Sequence, residues 1–318
     1  MTSRRDCLKF TALTGLAAAG LLPARLVYAL EKAALITRAI PKSGEKLPIV
    51  GLGSSATFRE DAEAEDTDAL TAVFKAMLEY HGTVFDTAPG YGASEEVAGR
   101  IVQGLGAEEK IFWATKLNVA GRGGGGADPV AARAQVEQSF DYIGKDPIDL
   151  IQVHNLADIP TQLGLLKEYK EEGRVRYIGT TCTNPSEYPR LIEVMRAEPL
   201  DFIGVDYAVD NRTAAETILP LAAERGIGVL VYVPFGRTRL FRRVGDRPLP
   251  DWVGDLGINS WAQFFLKFAA AHPAVTAVTP ATSDAEHMID NMAAAYGDLP
   301  DEALQKRMAE YVDQLPSA

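Results

Sequence analysis

The chain is short of cysteine, histidine and positive charge, and each shortage removes a class of function. Its only cysteines are Cys7 and Cys182. Cys7 falls in an N-terminal stretch that reads as a removable signal, so no intrachain disulfide framework is available to hold the fold. A body of this length buries a large core without such staples. The four histidines, His81, His154, His272 and His287, show no metal-ligand spacing, so no metal site is expected. Acidic residues outnumber basic ones by 43 to 32, a net charge of −11, which argues against nucleic acid and anionic membrane as partners. A P-loop is absent. Gly51-Leu52-Gly53 is too short for a dinucleotide fingerprint and reads instead as a strand passing close to substrate or cofactor.

What is present begins with an address. Ser3-Arg4-Arg5-Asp6-Cys7-Leu8-Lys9 precedes an alanine-rich apolar run from Phe10 to Leu22, and Val27-Tyr28-Ala29 offers small residues for cleavage. The run is too short to span a bilayer. Residues 1–29 are similar to a twin-arginine export signal. The expected partner is the export machinery and the expected location the periplasm, with no stable membrane anchor after cleavage; tethering by an uncleaved signal is the alternative. Four basic residues leave with that segment against Asp6 alone, so the remainder is more acidic than the whole chain.

From residue 30 to 318 no linker or composition change divides the chain, and one domain is the economical reading. Apolar β-branched runs occur at 48–52, 83–85, 111–114, 149–153, 176–179, 201–205, 228–232 and 275–279, each followed by a segment of helical period. Eight such repeats predict an α/β fold, a (β/α)8 TIM barrel of parallel strands. Asp128-Pro129 and Asn184-Pro185-Ser186 open helices, while Gly173 and Gly226 close two others. The two longest connections, Gly121 to Gly126 and the arginine-rich stretch from Phe235 to Gly257, follow the third and seventh strands. In a barrel both lie on the C-terminal face, where active sites are built.

Three successive strands stop at an ionisable side chain: Asp86 after Thr83-Val84-Phe85, Lys116 after Ile111 to Thr115, and His154 after Ile148 to Val153. Each alone has a plain structural reading, as turn residue, surface lysine or core histidine. Together, with Tyr91 in the glycine-bracketed loop after Asp86, they answer one chemical problem, the delivery of a proton to a carbonyl oxygen while a hydride reaches its carbon. A phenol is ordinarily a poor acid near neutrality. An ammonium beside it stabilises the phenolate, and a carboxylate holds that ammonium charged. A histidine donating to the carbonyl oxygen adds stabilisation where charge develops. A protein supplies no hydride, so a nicotinamide cofactor is required.

These residues resemble the aldo-keto reductase family. The likeness rests on Asp86-Thr87-Ala88 with Tyr91-Gly92 and Ser94-Glu95, on Ile151-Gln152-Val153-His154-Asn155, on Gly173 to Gly179 and on His287 to Asn291. It implies Asp86, Tyr91, Lys116 and His154 as catalytic tetrad. It also implies a nicotinamide-stacking ring at Tyr232 and cofactor contacts from Asp86, Thr181, Cys182, Pro234, Phe235, Gly236, Arg237, Thr282, His287, Asp290 and Asn291. Where the family has Ser-Asn after the fifth strand and Gln on the sixth, this chain has Thr181-Cys182 and Gly204. Where the family commonly clamps a 2′-phosphate with basic residues, it has Ala281 and His287, so the cofactor is NADP or NAD with the phosphate clamp incomplete. The arginines of residues 235–257 read either as a pyrophosphate belt or as a solvated charge run, and Phe241 and Trp252 as walls of a substrate cleft. The resemblance implies an oxidoreductase acting on an aldehyde or ketone, or on the alcohol in reverse. The alternative is a catalytically weak barrel serving as a nicotinamide- or ligand-binding regulatory subunit, which the missing side chain at Gly204 favours.

Overall fold

Side chains alternate between the two faces of a strand, and here the alternation sorts the apolar residues into two buried shells. Val84, Phe112, Ala114, Leu150, Tyr177, Phe202, Leu230 and Ala277 pack with one another inside a barrel, while Phe85, Trp113, Ile151, Ile178, Ile203 and Val231, one residue out of phase, pack outward against helices. The computed structural model describes residues 34–64, 66–120 and 126–316. The expected signal, residues 1–29, lies outside them, as does most of the glycine run after Ala120.

Among the described residues the chain opens with an antiparallel hairpin, β1 (Thr37–Ala39) and β2 (Lys46–Pro48), followed by eight parallel strands. These are β3 (Leu52–Gly53), β4 (Val84–Asp86), β5 (Phe112–Leu117), β6 (Ile148–Val153), β7 (Val175–Cys182), β8 (Phe202–Asp206), β9 (Gly228–Tyr232) and β10 (Ala277–Val278). They lie side by side in chain order, and parallel bridges Val50–Val278 and Gly53–Ala281 join last to first. The result is an α/β fold, the (β/α)8 barrel that the repeating pattern predicts.

The helices are α1 (Thr57–Ala62), α2 (Asp68–Glu79), α3 (Ser94–Gly104), α4 (Pro129–Ile143), α5 (Ile159–Glu171), α6 (Tyr188–Ala197), α7 (Ala214–Arg225), α8 (Arg239–Val244), α9 (Trp261–Ala271), α10 (Ala285–Ala293) and α11 (Glu302–Asp313). Of these, α2 to α7, α9 and α10 form the outer ring, and α1 and α8 sit in connections on the C-terminal face. Their boundaries follow local chemistry. Asp128 caps α4 by accepting from the Val130 amide with Pro129 in the first turn, and Gly144 and Gly226 end α4 and α7 in the left-handed region.

The structure corrects the first strand. Its expected start, Pro48, belongs to the hairpin, whose Ile40 and Leu47 join the interior cluster beneath Phe112, Tyr177 and Phe202 and plug the N-terminal end. Gly51 and Gly53 serve closure: a Cβ at Gly51 would lie 2.5 Å from the Val84 carbonyl oxygen, and one at Gly53 2.6 Å from that of Thr279. Only bare backbone fits between the two flanking strands.

Candidate active site

The inward parity that fills the barrel with apolar side chains continues to the C-terminal ends of the strands, where the residues turn polar. Asp86 follows Val84 on the inner face of β4, Lys116 follows Ala114 on β5, Gln152 and His154 follow Leu150 on β6, and Tyr232 follows Leu230 on β9. One period thus delivers both the core and the functional group.

The centre is a buried ion pair. Lys116 Nζ donates to Asp86 Oδ1 at 2.7 Å and to the Thr87 carbonyl at 2.7 Å, tying strand end to loop base. Burial would strip the Lys116 proton, but Asp86, Tyr91 and Glu95 outweigh it and hold the ammonium charged. Burial pushes the Asp86 carboxyl up from its ordinary range, while Lys116 and a bond from Tyr232 pull it back. The ammonium lies 5.1 Å from the Tyr91 ring centroid. The Tyr91 loop is anchored by its amide to the Ala88 carbonyl and by Thr87 Oγ1 donating to Ser94 Oγ; Gly92, with φ of 57°, then turns the chain into α3.

His154 approaches Tyr91 edge-on, with ring centroids 5.9 Å apart. Burial and then the Lys116 charge press its imidazole down to about 3, so near neutrality it is a neutral donor and not an acid. Its aim is set by an unusual backbone: Asn155, Leu156 and Asp158 all have positive φ. The Asn155 amide donates to Thr181 Oγ1 at 2.9 Å, which fixes that turn and leaves the Thr181 hydroxyl proton free for a ligand. A second left-handed run, Val233, Gly236, Arg237 and Thr238, follows β9. Such conformations cost about 1–3 kcal/mol each for non-glycine residues and gather where a site imposes them.

Asp86, Tyr91, Lys116, His154, Thr181, Tyr232, Pro234, Phe235 and Arg237 line one cavity of about 510 Å³, closed on the other side by Ser55, Ala56, Thr57, Arg59 and Ala281. That volume suits a small-molecule and cofactor site.

Other expected residues fall elsewhere. Cys182 is one residue out of phase with Thr181 and sits in the outer apolar shell, its thiol on the Asn184 carbonyl and pushed up by burial. Gly236 packs against the Arg239 guanidinium. Thr282, His287, Asp290 and Asn291 gather at α10 and the turn before it. There the Asp284 carboxylate accepts from the Glu286 and His287 amides, and Asp290 accepts from Gln263. Of the loop arginines only Arg237 lines the cavity. Arg239 and Arg243 pair with Asp210, Arg243 also holds the carbonyls of Val312 and Leu315, Arg242 bonds Thr238, and Arg247 bonds backbone. Phe241 packs on Phe235 and Phe265, and Trp252 on Phe264 and Tyr311, so neither walls the cleft.

Three residues enter that the sequence reading gave no role. Gln152 is fully buried between the tetrad and Tyr232. Glu95 sits behind Lys116, accepts from Thr115 Oγ1 at 2.5 Å and is pushed by burial up to about 7. Arg59 lines the cavity from α1. Strand parity marks Gln152; no local signal marks the other two.

The residues lining the cavity suit a nicotinamide cofactor. Thr181 has a hydroxyl proton to offer a carboxamide and Arg237 a cation to offer a pyrophosphate. At α10, by contrast, a carboxylate occupies the helix amides, and the one basic side chain among the expected clamp positions is His287.

The family model described as "Aldo/keto reductase family" matches residues 49–309. Similar solved structures include an aldo-keto reductase from Bacillus halodurans in its holo form, 22% identical, covering 90% of this chain and 98% of that one with TM-score 0.70. An aldo-keto reductase from Klebsiella pneumoniae in complex with NADPH is 21% identical, with 88% and 96% coverage and TM-score 0.71. A glycerol dehydrogenase from Gluconobacter oxydans is 21% identical, with 87% and 94% coverage and TM-score 0.69. A probable aldo-keto reductase of Glycine max is 30% identical over 201 residues, 60% of this chain; the match spans 56% of that relative's length.

Proposed function

From the premise that this chain belongs to the aldo/keto reductase family, we propose that it transfers a hydride between a nicotinamide cofactor and the carbonyl of a small aldehyde or ketone, with Tyr91 as general acid and, in the alcohol-oxidising direction, general base. The observation that carries the reading is the buried Lys116–Asp86 pair, 2.7 Å long, with its ammonium 5.1 Å from the Tyr91 ring centroid.

When bound, a nicotinamide supplies the hydride. This chain's residues supply the rest. Asp86 keeps Lys116 protonated where burial would neutralise it, and Lys116 stabilises negative charge on Tyr91 as its proton leaves. His154, neutral and held by the strained turn that Thr181 anchors, donates to the substrate oxygen and directs it toward Tyr91. Arg59 and Phe235 line the same cavity and offer a cation and an apolar ring to whatever occupies it. Gly204, which favours a purely binding role if read alone, has a separate reason to lack a side chain, because the Tyr232 ring fills that space.

The test is carbonyl-dependent cofactor oxidation across a panel of aldehydes and ketones. Wild type should turn over part of the panel and Tyr91→Phe should lose about 10²–10⁴-fold in kcat. Equal rates in the two proteins would refute the role of Tyr91; no turnover by wild type, with saturable cofactor binding retained, would favour the binding barrel.

The preferred cofactor in this reading is NAD, supported by the carboxylate at the start of α10. The reading also includes export: residues 1–29 direct the protein to the periplasm by the twin-arginine route. Fractionation of cells expressing the full chain and a variant with Arg4 and Arg5 changed to lysine tests it; equal cytoplasmic retention of both would contradict it.

A further inference from the structure

Tyr232 is expected to offer its ring to the nicotinamide, yet its hydroxyl is committed in the opposite direction, into the barrel. The Tyr232 hydroxyl donates to Asp86 Oδ2 at 2.8 Å, on the carboxylate oxygen that Lys116 does not use. Gln152 Nε2 in turn donates to the Tyr232 oxygen at 2.7 Å. A carboxylate paired with an ammonium has no hydrogen to give, so the proton between Asp86 and Tyr232 is the phenol's, donated to Asp86. Gln152 is wholly buried, and its Oε1 has no partner among the described residues. Burial and Asp86 together keep Tyr232 firmly a neutral hydroxyl.

Room for the phenol comes from β8. A Cβ on Gly204 would fall 2.2 Å from one ring carbon of Tyr232 and 2.7 Å from its hydroxyl oxygen. The glycine where the family carries an amide is therefore the counterpart of an inward tyrosine.

Resting on the reductase reading above, we propose that Tyr232 is a positioning residue of the proton-delivery machinery. Its hydroxyl pins the second oxygen of Asp86, so that the first is presented to Lys116 and Lys116 stays aimed at Tyr91, and Gly204 is the space that permits it. The charged and titratable groups around Asp86 and Lys116 are Tyr232 from β9, Tyr91 from the β4–α3 loop, Glu95 from α3 and His154 beyond β6. Only Tyr232 reaches the second oxygen by a hydrogen bond. A stacking role needs the ring and is indifferent to the hydroxyl, whereas this role needs the hydroxyl.

Tyr232→Phe separates the two. In protein labelled with [4-¹³C]aspartate, the Asp86 carboxyl is assigned by its loss in Asp86→Asn and titrated without cofactor or turnover. Removing a donor destabilises the carboxylate, so in Tyr232→Phe the Asp86 midpoint should rise by about half a pH unit or more. The acid limb of kcat should move up with it, while the NADH dissociation constant stays within about twofold because the ring remains. Gly204→Ala should displace the ring and shift the same titration, and the double variant should add nothing further. Superimposed Asp86 titrations in wild type and Tyr232→Phe would overturn the proposal, as would an effect confined to cofactor affinity. A wild type that binds NADH but reduces no carbonyl would refute the reductase reading instead, and the carboxyl titration still decides the role of Tyr232.

Discussion

Glu95 shows how a single side chain records the demands of the site. It is buried behind Lys116 with its carboxyl pushed up to about 7 by loss of solvent. A folded-state value above the unfolded one means that the folded protein holds the proton more tightly. This stabilising contribution is complete below about pH 4.5 and is lost as pH rises through 7. Relative to Glu95→Gln, which leaves the opposing His154 contribution in place, wild type should therefore lose up to about 3 kcal/mol between those limits, as read by the difference between the two proteins' denaturant midpoints at several pH values. His154 carries the opposite sign. Its imidazole is depressed to about 3, so stability falls as pH drops below the unfolded value of 6.5, and no limb of the rate profile between roughly pH 5 and 9 should belong to it. In the proposed reading the Asp284 carboxylate at the start of α10 disfavours a 2′-phosphate, and direct binding tests it: NADH should bind at least about tenfold tighter than NADPH. Equal affinities would sink that preference.

At the level of elements, most of the fold was legible because most barrel strands fall on short apolar runs and several helices have chemical punctuation, as Asp128 and Gly144 do for α4. The interior and outer shells follow from the same period of two, which is why Asp86, Lys116 and His154 could be read as converging before any coordinates. The misses are physical too. The hairpin strands β1 and β2 are three residues each, too short for periodicity to speak, and β2 absorbed the proline assigned to the first barrel strand. Cys182, which the resemblance pairs with Thr181 as a cofactor contact, faces the outer shell because adjacent residues of a strand point to opposite faces. The direction of the Tyr232 hydroxyl depends on the emptiness of Gly204 on a neighbouring strand, and no local pattern contains that. Packing between elements is also set by single residues. A Cβ on Gly99 of α3 would lie 1.9 Å from the Tyr142 carbonyl oxygen of α4, a backbone atom that cannot swing aside. Gly99→Ala should push the two helices apart and cost about 1–3 kcal/mol in thermal or chemical denaturation; unchanged stability would mean the pair is not so tightly seated.

For the whole molecule, the barrel separates stability from chemistry by its two ends. The N-terminal end is plugged by Ile40 and Leu47 and locked by Glu45, which accepts from Arg176 and Tyr177. The C-terminal end carries the tetrad and the left-handed residues Asn155, Leu156 and Asp158 beside His154 and Val233, Gly236, Arg237 and Thr238 after β9. Leu47→Ala should therefore cost about 2–5 kcal/mol of stability while leaving kcat at a permissive temperature unchanged, a pairing that unfolding curves and initial rates check together. The central claim, that Tyr91 delivers the proton while the rest of the barrel holds cofactor and substrate, is tested most directly by single turnover. Protein preloaded with NADH is mixed rapidly with a carbonyl that wild type reduces, and the decay of reduced-cofactor fluorescence is followed. Tyr91→Phe should bind NADH as wild type does and then oxidise it about 10²–10⁴-fold more slowly; decay at the wild-type rate would contradict the account.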